Sequence, residues 1–306
     1  MPSQPERYLV TIGTFDGVHR GHRKLLAWVR DRARLSGLKT RVVFFIAPPR
    51  FYFKPDLRVP LLSSGAERRT LLKSLGIDRV EVLRFGARWA EMPHTAFFER
   101  YIVGRWKAAG LLVGRDFAFG RGRLGDLAFL KAACQARKMS LGVLPLVRVN
   151  GRKISSSRIR LLLAKGDVGA AARQLGRRYA VSGRVIHGQH MGRKLGFPTA
   201  NVRVPAEVMA PPGVYEVLVS GPWADPKRAV CNVGVRPTLD GEHRRHVEVH
   251  VPGWTGRLYH RELKVEFVRR LRGERRFPSL SALKRQIARD VARVSGPGGR
   301  ARRSGS

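Results

Sequence analysis

Short apolar runs alternate with helix-like segments through the first half of the chain. The run at 8–13 is followed by a segment, 21–35, in which Leu25, Leu26, Val29 and Ala33 recur at helical spacing. The alternation predicts strands at 8–13, 41–46, 78–85, 110–114 and 140–147, with helices at 21–35, 66–76, 94–108 and 124–138. Strands that alternate with helices in this way indicate an α/β fold, a Rossmann-like parallel sheet with helices on both faces.

The pattern changes near Tyr179. Apolar and polar residues then alternate within short runs, and the runs are separated by glycine and proline rather than by helices. This predicts an antiparallel β-barrel with strands at 179–188, 213–221, 228–235, 245–251 and 261–271. A terminal helix is predicted after an N-cap at Ser279, with one apolar face formed by Leu280, Leu283, Ile287, Val291 and Val294.

The change of pattern divides the chain into two predicted domains, 1–176 and 177–295, and the glycine- and arginine-rich residues 296–306 are predicted to be disordered. A hydrophobic fraction of 43% fits globular domains with a real core. No apolar stretch approaches the ~18 residues that span a membrane, and we see no leader pattern. Cys134 and Cys231 lie far apart in the sequence and are expected to be free thiols, so we expect a cytoplasmic protein.

The charge balance is strongly basic, with 60 Lys and Arg against 22 Asp and Glu and a net charge of +38. Such an excess indicates anionic partners, which are either phosphate-bearing small molecules or nucleic acid. The chain has neither paired Cys/His zinc spacing nor an aromatic RNA-binding stretch. We therefore expect small-molecule partners, no specific nucleic acid and no membrane, and weak self-association stays open.

The segment from Val10 to His22 carries the first candidate site. A strand ends at Gly13, a loop follows, and a helix is predicted to begin close to His19. The amides of a helix N-terminus attract phosphate, and His19 and His22, three residues apart, are placed to neutralise charge on a phosphate during in-line displacement. The alternatives for such a pair are a metal site, for which no third ligand lies nearby, and two solvated histidines without a role.

The segment from Gly188 to Asn201 carries the second candidate site. Its glycines leave backbone amides free to cradle phosphates, and Thr199 and Asn201 supply oxygen ligands of the kind that Mg²⁺ accepts. Glu248 is a candidate base, although the alternation of 246–251 by itself favours a solvated strand residue. His187, His190 and His250 have no metal-like spacing and receive no role.

Six motifs in this order resemble the bacterial bifunctional riboflavin kinase/FMN adenylyltransferase family over nearly the whole chain. They are GTFDGVHRGH from Gly13, VGRDFAFG from Val113 with Gly125-Asp126, ISSSRIR from Ile154, GRKLGFPTAN from Gly192, NVGVRPT from Asn232 and HVEVH from His246. The resemblance implies phosphorylation of riboflavin to FMN and then adenylyl transfer from ATP to FMN, giving FAD and pyrophosphate, with Mg²⁺ in both steps.

The resemblance also assigns roles to single residues. It implies that Glu248 is the kinase base, that His19 and His22 are catalytic in adenylyl transfer, and that Asp116 and Phe119 place FMN. ATP of the adenylyltransferase is expected at Gly13, Thr14, Phe15, Asp16, Gly17, His19, His22, Ser155, Ser156, Ser157 and Arg160. ATP of the kinase is expected at Gly192, Gly196, Pro198, Thr199 and Asn201, with Mg²⁺ at Thr199 and Asn201.

The chain departs from the family pattern at three places. The segment FFIAPP has Pro48 where the family has a histidine, Ser157 replaces a threonine, and His260 stands where a glycine is usual. The lost histidine makes a chain with only the kinase active the alternative enzyme hypothesis. A basic nucleic-acid-binding protein on an old enzyme scaffold is the alternative from another functional class.

Overall fold

A computed structural model describes residues 6–57, 59–144, 148–149, 152–188, 191–237 and 243–295. Contacts within the chain divide it into two compact units, Met1–Ser156 and Ser157–Ser306. The predicted disordered segment 296–306 lies outside the described residues. Among the described residues, no helix has both the length and the apolar character needed to cross a membrane.

The first unit is built on a parallel sheet of five strands. The strands are β1 (Tyr8–Gly13), β2 (Lys39–Phe45), β3 (Arg79–Leu83), β4 (Ala108–Gly114) and β5 (Ser140–Leu144). Their spatial order is β3-β2-β1-β4-β5, so the chain moves outward to one edge and then returns past β1 to the other. Ligands of such sheets bind at the carboxyl ends of the strands beside this reversal point, and the loop after β1 begins there.

Helices cover the sheet, and two apolar clusters form the core. The helices are α1 (Arg20–Leu35), α2 (Arg50–Phe53), α3 (Gly65–Ser74), α4 (Ala87–Ala90), α5 (His94–Phe97) and α6 (Leu127–Ala136). Leu25, Leu26, Val29 and Ala33 are all buried, which confirms the apolar face predicted for the first helix. A short antiparallel pair, β6 (Arg148–Val149) and β7 (Arg152–Lys153), follows the sheet.

The helix predicted at 94–108 is present in a different form. α5 covers one turn, and the chain then winds as a π-helix over Phe98–Arg105. The Trp106 amide donates to the Tyr101 carbonyl at 2.7 Å, five residues earlier. Trp106 is fully buried, with the Phe97 ring edge-on at a centroid distance of 5.6 Å. The wider turn therefore accompanies the burial of several large rings, which a periodicity argument does not anticipate.

The second unit is a closed barrel of six antiparallel strands preceded by two helices, α7 (Ser156–Ala164) and α8 (Val168–Leu175). Its strands are β8 (Ala180–Ile186), β9 (Ala200–Arg203), β10 (Gly213–Ser220), β11 (Lys227–Pro237), β12 (His243–His250) and β13 (Glu262–Arg272). A one-turn helix, α9 (Met191–Lys194), lies between β8 and β9. The sequence pattern predicted five of these strands. β9 was not predicted, since it has only four residues and the first two, Ala200 and Asn201, end the motif assigned to phosphate binding.

The terminal helix, α10 (Leu280–Ser295), is capped as predicted, with the Ala282 amide donating to Ser279 Oγ at 3.2 Å. Its predicted apolar face is only partly right, because Leu280 is 64% exposed. The helix instead buries Gln286 and Asp290 beside Val294. Asp290 accepts from Arg272 Nε of β13 at 2.8 Å and from Gln286 Nε2 at 2.9 Å. A satisfied polar network therefore replaces part of the expected apolar contact.

Candidate active sites

The loop after β1 has an unusual backbone. Phe15, Gly17 and Val18 have φ values of 50°, 74° and 39°, so three of four consecutive residues lie in the left-handed region. Only glycine adopts that region without steric cost. Gly17 donates its amide to Ser63 Oγ at 3.0 Å, and Val18 donates to the Phe15 carbonyl at 2.9 Å. The turn is therefore fixed by bonds within the protein.

His19 and His22 lie together at the start of α1. His19 is the N-cap, and its Nδ1 accepts from the His22 amide at 3.3 Å. The two rings stack, with centroids 3.7 Å apart and planes 12° apart. Because Nδ1 of His19 is an acceptor, the neutral ring carries its proton on Nε2 and can donate from there. The structure thus brings together the two histidines that the sequence predicted.

His22 is poised as a neutral ring. Its Nδ1 is buried and has no hydrogen-bond partner among the described residues. Burial lowers the pKa of His22 well below its usual 6.5, and the nearby charges of His19 and Arg68 lower it further. The ring also rests on Phe15 at a centroid distance of 5.1 Å.

The amides at the head of α1 complete this side of the site. His22 gives its amide to His19, and Arg23 gives its amide to the His19 carbonyl at 2.9 Å. The amides of Arg20 and Gly21 have no acceptor within the described part of the chain. Amides at such a helix N-terminus attract anions.

Asp16 is turned into the protein. Its carboxylate is 2% exposed and accepts from the amides of Leu62 at 2.9 Å and of Ser63 at 3.3 Å. Its backbone carbonyl accepts from Ser156 Oγ at 3.0 Å. Asp16 therefore ties the loop after β1 to Leu62, Ser63 and Ser156.

Arg68 is the site residue that the sequence analysis missed. The side chain is fully buried, and its guanidinium donates to the carbonyls of Thr14, Phe45, Ile46 and Ser63 at 2.7–3.1 Å. Asp16 Oδ1 lies 3.9 Å from its Nη2. A signal for it existed, because Ser64 and Glu67 form a capping box and place Arg68 one turn before the buried Leu72 on the same face of α3.

The segment with Pro48 lies beside the same guanidinium. Ile46 donates its amide to the Leu83 carbonyl at 2.9 Å, and Pro48 accepts from the Phe51 amide at 2.9 Å. The backbone course of the FFIAPP segment is thus fixed by α2, β3 and Arg68. The substitution at Pro48 removes an imidazole without removing this support.

The two residues predicted to place FMN have different surroundings. Asp116 is exposed, and its carbonyl accepts from Arg123 at 3.2 Å. Phe119 is buried, with its ring centroid 4.9 Å from that of Phe97. Its backbone pairs with Gly125 at 3.0 and 3.1 Å, and a Cβ at Gly125 would overlap the Phe119 ring. The Phe119–Gly125 pair thus closes residues 120–124 into a turn, and Asp116 lies just before this turn.

The serines and arginine of the ISSSRIR motif fall on both sides of the boundary between units. Ser155 and Ser156 end the first unit, and both are partly buried. Ser157 and Arg160 belong to the second unit, where Ser157 is exposed and Arg160 is buried on α7.

In the barrel, strand register places Glu248 between two asparagines. Glu248 of β12 pairs with Asn232 of β11 and with Asn201 of β9. Directly opposite residues of an antiparallel pair share a face, with Cβ atoms about 5 Å apart. The neighbours Val247 and Val249 are buried on the other face. The negative charge of Glu248 contributes, after burial, to the raised pKa of the enclosed Cys231 thiol.

The loop between β8 and β9 is closely packed where glycine occurs. A Cβ at Gly188 would overlap the Asn201 amide, and one at Gly192 would overlap the Phe197 carbonyl and approach Thr199 Oγ1. Gly196 has a φ of 87°, which favours glycine. Pro198 is exposed and precedes the partly buried Thr199.

The side-chain oxygens of Thr199 and Asn201 fit a nucleotide-bound Mg²⁺. Thr199 and Asn201 offer a hydroxyl and an amide oxygen, and the glycines packed against them leave no room for a Cβ. Mg²⁺ takes few protein ligands and completes its shell with water and phosphate. Within the described ranges, no three His, Cys, Asp or Glu side chains form a group that could hold a metal ion. The donor set therefore suits an ion that arrives with a phosphate ligand.

Comparison with known proteins gives two family models, one for each half of the chain. The family model described as FAD synthetase matches residues 1–158, and the model described as riboflavin kinase matches residues 175–296. A bifunctional riboflavin kinase/FMN adenylyltransferase of Pseudomonas fluorescens is 40% identical over 287 residues, covering 93% of this chain and 91% of the relative. One of Escherichia coli K12 is 38% identical over 285 residues, with the same shares covered.

A solved structure has the same fold throughout. It is described as a macrolide-efflux protein from Streptococcus pneumoniae, is 29% identical, and superposes with a TM-score of 0.83 over 95% of each chain. The chain belongs to the bifunctional riboflavin kinase/FMN adenylyltransferase family.

Replacing Arg68 by methionine is expected to lower the free energy of unfolding of the first unit by about 3–5 kcal/mol. The reason is that four carbonyls and the Asp16 carboxylate lose a buried cation. Urea unfolding followed by tryptophan fluorescence measures the change. Arg69→Met is the matched control, because Arg69 is its exposed neighbour. Equal stabilities of the two variants would contradict the assignment.

Stability should fall as the pH drops below about 6.5, by at most about 1.4 kcal/mol per pH unit from His22. Below that pH the unfolded chain protonates His22 whereas the folded protein, with its lowered pKa, does not. Unfolding free energies at pH 7.5 and 5.5 should differ less in His22→Gln than in the unsubstituted protein. His260→Gln, at an exposed histidine, should keep the original difference. A variant slope equal to the original slope would refute this.

Proposed function

We propose that this chain makes FAD from riboflavin in two ATP-dependent steps, one at each of the two sites described above. The observation that carries the proposal is that each compact unit contains its own phosphate-binding arrangement, built on a different fold. Riboflavin is phosphorylated to FMN on the barrel, and FMN is adenylylated on the parallel-sheet unit. We place the two functional domains at 1–176 and 177–295 and expect a cytoplasmic enzyme.

In the kinase step Glu248 acts as the base. Its carboxylate takes the proton of the ribityl 5′-hydroxyl while that oxygen forms a bond to the γ-phosphorus of ATP. The bond from the γ-phosphorus to the bridging oxygen breaks, and ADP leaves. The register that puts Glu248 between Asn201 and Asn232 supports this role, because a carboxylate flanked by amides stays oriented.

The loop from Gly188 to Thr199 is the proposed cradle for the phosphates of the kinase ATP. Gly192, Gly196 and Pro198 shape it, and Thr199 and Asn201 would hold Mg²⁺ together with phosphate oxygens. When bound, the ion neutralises charge on the phosphates and orients the γ-phosphate.

In the adenylyl transfer step an oxygen of the FMN phosphate attacks the α-phosphorus of ATP, and the bond to pyrophosphate breaks. His19 donates from Nε2 to the α-phosphate oxygens, where charge develops. His22 starts neutral, and the charge of the bound triphosphate favours its protonation. No covalent intermediate is needed, because the step is a direct in-line displacement.

The remaining predicted residues have supporting roles. Gly13, Thr14, Phe15 and Gly17 form the loop under the triphosphate, and Asp16 fixes that loop from inside. Ser155, Ser156, Ser157 and Arg160 are proposed to hold the nucleotide, since hydroxyls and a guanidinium suit phosphate oxygens. Asp116 is proposed to contact FMN, and Phe119 to support the loop that carries it.

Glu248→Gln should abolish FMN formation from riboflavin, by about 100-fold or more, while FAD formation from added FMN continues. The measurement is chromatographic separation of flavins after incubation with Mg²⁺ and ATP. Glu262→Gln is the matched control, because Glu262 is an exposed glutamate of the barrel. If the unsubstituted protein forms neither FMN nor FAD, the proposed function is wrong.

The double variant His19→Ala, His22→Ala should show the opposite loss. Adenylyl transfer should fall by about 100-fold or more, since donors to the developing charge are removed, and FMN formation should be retained. Incubating the unsubstituted protein with FMN and ATP separates the bifunctional enzyme from the kinase-only alternative raised by Pro48. Absence of FAD there would favour that alternative.

A further inference from the structure

His250 joins the strand of Glu248 to the phosphate loop of the barrel. Its Nδ1 lies 2.8 Å from the carbonyl oxygen of Pro198, which immediately precedes Thr199. The Phe197 ring stands edge-on to the imidazole, with centroids 5.6 Å apart and planes 87° apart. Both contacts reach the end of the loop that leads into β9.

The contact between His250 and Pro198 lies where the ladder between β12 and β9 ends. β12 pairs with β9 through Val247 with Val202, Glu248 with Asn201 and Val249 with Ala200. The next pair in that register would be His250 with Thr199, and the ladder does not include it. Beyond the last ladder pair, Nδ1 of the His250 side chain provides the contact to this part of the loop, at the Pro198 carbonyl.

The chemistry of the contact fixes the ring. A carbonyl oxygen only accepts, so Nδ1 of His250 must carry a proton. The neutral ring with its proton on Nδ1 meets this condition, and so does the imidazolium. The contact is thus retained in both charge states and acts as a fixed tether.

We propose that His250 is a positioning residue for the kinase reaction, an inference that rests on the proposed function. By holding the Pro198 carbonyl, it fixes the peptide before Thr199 and keeps the Thr199 hydroxyl at the phosphates of ATP. Glu248 lies two residues away on the same strand, and alternation puts both side chains on one face. The base and the phosphate loop are thereby held to one strand.

Two pairs of variants test the tether. His250→Phe keeps a ring beside Phe197 but removes the donor, and we expect the KM for ATP to rise about fivefold with the KM for riboflavin unchanged. His250→Asn puts an amide donor near the position of Nδ1 and should restore the KM for ATP. His250→Gln places its donor one bond further away and should leave the KM raised.

The control is His246→Phe, at a partly buried histidine on the same strand and on the other side of Glu248. Its KM for ATP should stay at the original value. The proposal is overturned if His250→Phe and His246→Phe have the same KM for ATP, or if the Asn and Gln variants do not differ. The Asn and Gln comparison decides the question even if the Phe variant fails to fold. If the unsubstituted chain forms no FMN, it is the proposed function that fails, whereas normal FMN formation with unaffected variants rejects the tether alone.

Discussion

The buried guanidinium of Arg68 is the contact on which the carboxyl end of the sheet in the first unit depends. A fully enclosed cation is costly unless it finds hydrogen-bond acceptors and a counter-charge lies near. Here its donors take carbonyls from the end of β1, the end of β2 and the loop before α3, and Asp16 lies 3.9 Å away. Three segments that are distant in sequence are thus held by one planar group. The strained turn at Phe15–Val18 persists because that surrounding structure determines it.

In the barrel, strand register fixes the position of the Glu248 carboxylate. β11 and β9 place an asparagine on each side of Glu248. Register is firmly specified because a slip by one residue would turn Val247 and Val249 out of the core and Glu248 into it. The alternation that by itself favoured a solvated Glu248 is therefore also what fixes the position of that carboxylate. The polar network of Asp290, Arg272 and Gln286 fixes α10 to the barrel in a comparable way.

The architecture was predictable because it follows from local periodicity. The parallel sheet, the barrel and the terminal helix are confirmed. Three features were not predicted from the sequence, each for a physical reason. β9 is too short and too polar to show alternation, the π-helix depends on ring packing, and Arg68 is charged yet buried because of carbonyls contributed by other segments. Leu280 shows the opposite error. It was predicted to be buried from its helical spacing, but it is exposed, because polar residues of the same helix make the buried contacts.

Around the loop after β1, the two buried charged groups are held by contacts within the protein. The Asp16 carboxylate accepts from backbone amides, and the Nη atoms of Arg68 donate to backbone carbonyls. Burial, followed by the charges of His19 and Arg68, lowers the pKa of His22 and keeps its ring neutral, and its Nδ1 is buried without a partner among the described residues. This arrangement suits the proposed binding of a triphosphate, because the anion would meet donors that need not first break an ion pair. The net charge of +38 can attract anions to the surface. Selection among these anions instead depends on a few hydrogen-bond donors, which are held in place by Asp16 and Arg68, two residues of opposite charge.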